Sequence, residues 1–284
     1  MKYAVFTVCM PEYTIDEGIE KLVRWGYDGV EWRVRNQPPH EGAPAFWSGN
    51  RCTLSEDELL DVAADVGKRC RDAGLAVNGL ASYLKADQIV EVERLFEACV
   101  KMDVGAARVG LPPVGEGVSF GDHYKRSVDL YGAVEKLAKK TGVRALIETH
   151  HGTTVASASA MFRFVSNFDA TCVGVIHDAG NMVHEGFENY KLAFELLGDY
   201  LGEVHVKNAK WEMTEKTGAE GQAIWQASWC ELKEGVVNWA DVYAALKSVG
   251  YDGWLAIEDF STRRTTEEKL TDALTTLKAL EASA

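Results

Sequence analysis

Two kinds of segment alternate along the chain. Short runs that are apolar on both faces, such as Leu75 to Leu80, Ala106 to Val109, Val143 to Ile147 and Leu255 to Ile257, read as parallel strands covered by helices. Between them lie longer stretches of helical character. Helix ends are marked by glycine, with a strand starting within a few residues. The clearest instances are Trp25-Gly26-Tyr27-Asp28-Gly29-Val30-Glu31 and Val249-Gly250-Tyr251-Asp252-Gly253-Trp254, and the pattern recurs at Gly74, Gly105 and Gly142. Glycine after a helix supplies the left-handed conformation that side chains resist.

This pattern predicts strands near 2–8, 28–33, 75–80, 105–110, 143–148, 172–178, 202–207 and 254–259. Helices are predicted near 14–25, 55–73, 87–103, 122–141, 157–167, 188–198, 238–249 and 265–281. Strict alternation means a doubly wound sheet or a closed barrel. Eight units, with no G-x-G-x-x-G after the first strand, favour a single (β/α)8 TIM barrel over residues 1–284. Two connections are long, Val34 to Leu54 and Asn208 to Asn238, and such loops build or cover a site. No linker or second domain is visible.

Composition narrows the function classes. The 284 residues are 46% hydrophobic and 26% charged, which suits one large core. A net charge of −13 argues against nucleic acid and against an anionic membrane surface. Six cysteines are scattered without a C-x-x-C pair, so neither a zinc knuckle nor a disulfide scaffold is expected, and a reducing cytoplasmic setting is. The apolar run Tyr3 to Met10 is too short for a signal peptide and fits a buried strand. No apolar stretch approaches the roughly 18 residues of a membrane span.

Chemistry belongs at the C-terminal ends of barrel strands. Four consecutive predicted strands end in ionisable residues: Glu148, Asp178, His205 and Glu258. Each has a structural alternative. Glu148 can cap a helix or pair with Arg108, Asp178 can cap a helix, His205 can be a satisfied core histidine, and Glu258 can be solvated. Together, three carboxylates and an imidazole on one apolar rim repel one another unless a cation joins them. One divalent metal is therefore expected on Glu148, Asp178, His205 and Glu258. Oxygen-rich ligation makes Mn²⁺ the expected ion, with Mg²⁺, Co²⁺ or Zn²⁺ as alternatives.

These four residues, with Asp178-Ala179-Gly180-Asn181-Met182-Val183 and His205-Val206-Lys207-Asn208, resemble the sugar phosphate isomerase/epimerase family of the xylose isomerase-like TIM barrel superfamily. The resemblance covers essentially the whole chain and includes Gly235-Val236-Val237-Asn238-Trp239. It implies that the Glu, Asp, His and Glu bind the metal, and that Glu148 and Glu258 act as the acid/base pair, as in ketose epimerases. The chain departs from those epimerases at two places. Asn181 stands where they carry His, and Trp211 where they carry Arg. Both positions are candidate substrate contacts, with His184, Lys207 and Lys210 available to take over their part. Endonuclease IV shares the barrel but needs further ligands that are not found here.

Other residues near the rim add candidates. His150, two residues past Glu148, is a candidate general base or hydrogen-bond donor. Lys207 shares the strand parity of His205, so it should face inward to a substrate oxygen or to one of the glutamates. Arg108 and Glu31 end strands and are candidate substrate contacts, Glu31 for a sugar hydroxyl or, alternatively, as a partner of Arg33. His177 has the opposite parity to Asp178 and reads as structural. Phe46, Trp47, Trp211, Trp225 and Trp229 crowd the long loops, where indoles suit the C–H faces of sugars as well as loop packing or an oligomer interface.

The leading expectation is a metal-dependent isomerase or epimerase of a sugar or keto-sugar. Its route is proton transfer through an enediolate between paired glutamates. The alternatives are elimination from an oxo-sugar, as in the inosose dehydratases and C-glycoside deglycosidases of the superfamily, and a non-catalytic sugar binder. The expected ligand is a small sugar or glycoside. A homo-oligomer is expected, with a small second subunit as a further possibility that the resemblance raises.

Overall fold

The computed structural model describes residues 1–283, so the last residue of the expected 1–284 barrel lies outside the described part. In chain order the strands are β1 (Lys2–Phe6), β2 (Gly29–Val34), β3 (Thr53–Leu54), β4 (Ala76–Lys85), β5 (Ala106–Gly110), β6 (Arg144–Glu148), β7 (Val173–Asp178), β8 (Leu201–Val206), β9 (Asn208–Thr217), β10 (Ala223–Cys230) and β11 (Trp254–Ile257). The helices are α1 (Ile15–Trp25), α2 (Leu59–Asp72), α3 (Ile89–Met102), α4 (Phe120–Thr141), α5 (Ala158–Val165), α6 (Ala179–His184), α7 (Tyr190–Leu197), α8 (Trp239–Ser248) and α9 (Thr266–Ser283). Eight strands run in the order β1-β11-β8-β7-β6-β5-β4-β2, all parallel, and β1 pairs back with β2. The sheet is therefore closed, and the protein is a single (β/α)8 TIM barrel.

Local chemistry sets the elements. Thr14 caps α1 reciprocally with Glu17, and Gly26 ends it at φ 86°. The helix then sits close to the sheet: a Cβ at Gly18 would lie 2.8 Å from Cys52 Sγ. Apolar side chains fill the layer between strands and helices, with Val30, Trp32, Leu80 and Phe96 fully buried. Each such burial contributes about 1.5–3 kcal/mol. The last helix locks to the first strand, where Tyr3 donates to Glu281 at 2.6 Å.

Inside the barrel the core is polar where aliphatic layers are usual. Asn78 of β4 donates across the interior to Glu203 of β8 at 2.6 Å. Glu31 of β2 meets His205 of β8 at 3.0 Å. These bonds join strands that are not neighbours, which places the four side chains on the barrel axis.

Several boundaries differ from the sequence reading. The first strand stops at Phe6, and Thr7–Cys9 form a 3-10 turn. β4 runs on to Lys85, five residues past the expected end at 80, because its second half carries polar side chains that an apolar run does not reveal. The stretch 208–238, expected as a loop, contains the antiparallel hairpin β9–β10. Much of that hairpin is open to solvent, so it lacks the alternation that betrays a half-buried strand. An extra helix, α6, starts at once after β7. Among the described residues, no helix is long and apolar enough to cross a membrane, and all six cysteines are buried and free.

Candidate active site

β6, β7, β8 and β11 are consecutive around the barrel, so their C-terminal ends converge. Glu148, Asp178, His205 and Glu258 each offer one ligand atom, and these atoms lie within 4.8 Å of one another. His205 Nδ1 is 3.5 Å from Glu148 Oε1 and 3.8 Å from both Asp178 Oδ2 and Glu258 Oε2. That nitrogen is buried without a hydrogen-bond partner, while Nε2 is engaged by Glu31. An imidazole fixed from behind by a carboxylate, with its free nitrogen aimed at three carboxylate oxygens, is a donor set that fits one divalent cation.

The surroundings supply positive charge. Arg108 donates to Ser82 O through Nε and to Glu148 Oε2 at 2.6 Å through Nη1. Burial opposes ionisation of Glu148, but Arg108 and then His205 outweigh it and hold the carboxyl well below its ordinary range. Lys207 Nζ lies 2.7 Å from Asp178 Oδ2 and also pairs with Glu258. Burial opposes the Lys207 charge, and Asp178 and Glu258 reverse that, so its pKa is raised. Burial, with Glu148 and Glu258 alongside, pushes Asp178 up despite Lys207. For His205, burial is overcome by Glu31 and Glu148, and the ring is raised well above its usual value. The same field that favours these cationic side chains favours a bound divalent cation.

Asp178 has two tasks. Its Oδ1 accepts from the Asn181 backbone at 2.8 Å and caps α6, while Oδ2 faces the cluster. The capping alternative is therefore met by Oδ1, and Oδ2 stays available to a cation.

A cavity of about 500 Å³ opens above the cluster. Glu148, Glu258, Lys207, Arg108, Asn181 and His150 line it. Asn181 has a further part, since its amide donates to Glu148 Oε1 at 3.0 Å and to Asp178 Oδ2 at 2.9 Å. It ties the two carboxylates together, and its Oδ1 is left buried and without a partner.

Three expected substrate contacts are corrected. Glu31 is buried beneath the cluster and bonds His205, so it meets neither a sugar hydroxyl nor Arg33. Trp211 points away from the cavity, because its indole donates to Val183 O at 2.8 Å and the hairpin holds it outward. His184 stands behind the wall, stacked on His151 at 4.3 Å and tilted against Trp229 at 4.5 Å. His177 is structural, with its ring packed against Phe194 at 4.8 Å.

Other wall residues were missed. Tyr83 and Lys85 lie in the part of β4 that the apolar run did not reveal, and Phe260 follows β11. His151 is a neighbour of His150 that nothing local distinguishes. Burial, then His150 and His184, lower it to about 4, so it is a neutral wall residue. The aromatic wall joins Trp47 to Phe260 at 5.0 Å and to Tyr83 at 6.3 Å, with Trp229 over Lys207 at 4.7 Å. Of the loop tryptophans, Trp47 and Trp229 line the cavity and Trp225 is exposed on the hairpin.

Comparison with known proteins agrees with this geometry. The family model described as xylose isomerase-like TIM barrel matches residues 19–280. An inosose dehydratase of Bacillus licheniformis is 26% identical over 142 residues, covering 48% of this chain and 47% of that protein. The chain thus spans about half the length of the curated relatives it matches. Among solved structures, the E. coli 3-keto-D-glucoside 4-epimerase has a TM-score of 0.72 at 17% identity, covering 98% of this chain and 99% of that one. The IolI protein with a binding zinc atom has a TM-score of 0.73 at 16% identity, covering 100% and 99%. At these identities the structural likeness speaks for the fold.

Proposed function

Because this chain belongs to the xylose isomerase-like TIM barrel family, we propose that it is a divalent-metal-dependent enzyme that removes the proton beside the carbonyl of a sugar or keto-sugar and then eliminates the neighbouring hydroxyl as water. The observation that carries this reading is the pair Glu148 and Glu258 facing one cavity around the unpartnered His205 Nδ1, with the Lys207 ammonium buried between Asp178 and Glu258. When bound by Glu148, Asp178, His205 and Glu258, a divalent cation draws electron density from the substrate's carbonyl oxygen and stabilises negative charge there.

The chain's own residues have defined parts. Glu148, kept ionised by Arg108, accepts the proton from the carbon next to the carbonyl. Lys207 adds a second positive charge beside the developing oxyanion. As the carbon–carbon double bond forms, the β-hydroxyl bond breaks, and His150 on the same wall gives the proton with which it leaves as water. Trp47, Trp229 and Phe260 pack against the sugar and exclude solvent.

Two observations favour elimination over epimerisation. The Asn181 amide is engaged by Glu148 and Asp178, and Trp211 is turned away, so neither residue fills the part of the epimerases' His and Arg. The inosose dehydratases among its sequence relatives point the same way. A second reading, isomerisation or epimerisation, is supported by the paired glutamates, since Glu258, which follows β11, lines the same cavity as Glu148 and in this reading returns the proton that Glu148 removes.

The deciding experiment is NMR in D₂O with Mn²⁺-loaded protein, inososes, ketoses and 3-oxo-glucose, beside an EDTA-treated control. Metal-dependent formation of an unsaturated or deoxy ketone supports elimination. Deuterium uptake with an inverted centre supports epimerisation instead. Exchange with no substrate would remove both readings.

A further inference from the structure

The cavity has a side chamber of about 170 Å³, against about 500 Å³ for the main space. Lys85, Leu111, Gly152 and Thr153 line both, so the two adjoin. Lys85 at the junction is half-buried, and among the described residues its Nζ has no hydrogen-bond or ion-pair partner. Nor does it reach freely into water. It is laid along Gly110, where a Cβ would stand 2.7 Å from Nζ and 3.0 Å from Cδ. The backbone is thus shaped to hold an ammonium that no protein carboxylate meets. Burial, then Arg108, pull its pKa below that of an ordinary lysine.

The surroundings extend the pattern. Arg108 uses Nε and Nη1 on Ser82 and Glu148, and Nη2 has no partner among the described residues. Arg35 and Arg108 each place their guanidinium 4.8 Å from the Tyr83 ring centre, and Arg33 lies at 5.4 Å. In a chain of net charge −13, this sector gathers four cations. The carboxylates that face them are Glu148 and Asp87 for Lys85, Glu56 for Arg35, and Glu148, Glu31 and Glu258 for Arg108. Thr154 also lines the chamber, and its Oγ1 is buried and unpartnered among the described residues. A partly desolvated ammonium beside an unmatched hydroxyl is unfavourable unless a ligand completes both.

We propose that the side chamber is a subsite for an anionic group, a carboxylate or a phosphate, carried by the sugar substrate away from its reacting carbonyl. Lys85 is the main contact, Thr154 Oγ1 is a supporting donor, Arg108 adds its charge from the main cavity, and Gly110 keeps Lys85 in place. The reference to a sugar rests on the function proposed above, whereas the anion site does not.

The test is calorimetric titration of metal-loaded protein with D-gluconate and with inorganic phosphate, using D-glucose as the neutral comparator. A sample stripped of metal is titrated in parallel to separate anion binding at the cation. The expected result is one anion per chain, bound more tightly than glucose. Lys85→Met should weaken it about ten-fold or more, with or without metal. Gly110→Ala keeps every charge but fills the slot, and it should weaken binding as well. Metal content should be unchanged in both variants. Tighter gluconate assigns a carboxylate, and tighter phosphate a phosphate ester. The proposal is overturned if neither anion outbinds glucose, or if both variants bind as the wild type does. Lys85-dependent anion binding in a protein that exchanges no substrate proton would sink the catalytic reading and leave the subsite standing.

Discussion

Glu31 Oε2 lies 3.0 Å from His205 Nε2, with both side chains buried in the barrel interior. This contact fixes the imidazole so that Nδ1 faces Glu148, Asp178 and Glu258. A carboxylate behind a ligating histidine sets its orientation and its basicity. Glu31→Ala should therefore lower divalent-metal affinity about 10–100-fold. Titration of Co²⁺ into metal-stripped protein measures this, and unchanged affinity would show that Glu31 only packs the core.

The paired glutamates give the second prediction. Glu258→Gln and Glu148→Gln should each reduce turnover by about 10²–10⁴-fold, the usual range for a positioned acid or base. Circular dichroism should show the barrel still folded. Full activity in Glu258→Gln would rule out a role for that carboxylate in proton transfer.

Asp178 separates metal binding from capping. Asp178→Ala removes both the ligand and the α6 cap, and should lower metal occupancy and cost about 1 kcal/mol of stability. Asp178→Asn retains a capping oxygen but lacks the carboxylate. It should lose metal with a smaller drop in Tm of the metal-free protein. Equal metal content in all three proteins by elemental analysis would take Asp178 out of the ligand set.

Removal of the ion should be reversible. EDTA treatment should abolish turnover and lower Tm, and Mn²⁺ or Co²⁺ should restore both. At a metal concentration 100 times Kd the stabilisation is about 2.7 kcal/mol. A Tm that does not respond to added metal would contradict a native-state cation site.

The cysteines should be inert in the native protein. Burial pushes Cys9 up to about 12, and Cys70 and Cys230 to about 11. A thiol-disulfide reagent at pH 8 should find essentially no reactive thiol until denaturant exposes all six. Rapid labelling of the folded chain would show that one of these residues is accessible.

Much of this molecule is readable from its sequence. The eight βα units and the glycine helix ends follow from local pattern, because burial on both faces and left-handed caps leave local marks. Glu148, Asp178, His205 and Glu258 were legible for a related reason. Glu148, Asp178 and Glu258 each close an apolar run, His205 sits one residue before the end of β8, and consecutive strands in this topology are neighbours in space, so convergence at one rim follows from order.

Only the tertiary structure decided how those residues are partnered. Glu31 and His205 lie far apart in the chain and meet across the barrel, which no periodicity encodes. Tyr83 and Lys85 entered the cavity because β4 outruns its apolar segment. Trp211 left it because hairpin register turned its indole to Val183. Pattern reports whether a position is buried. Which long side chain meets which is set by strand register, loop path and the closing of the barrel, and these exist only in the folded chain.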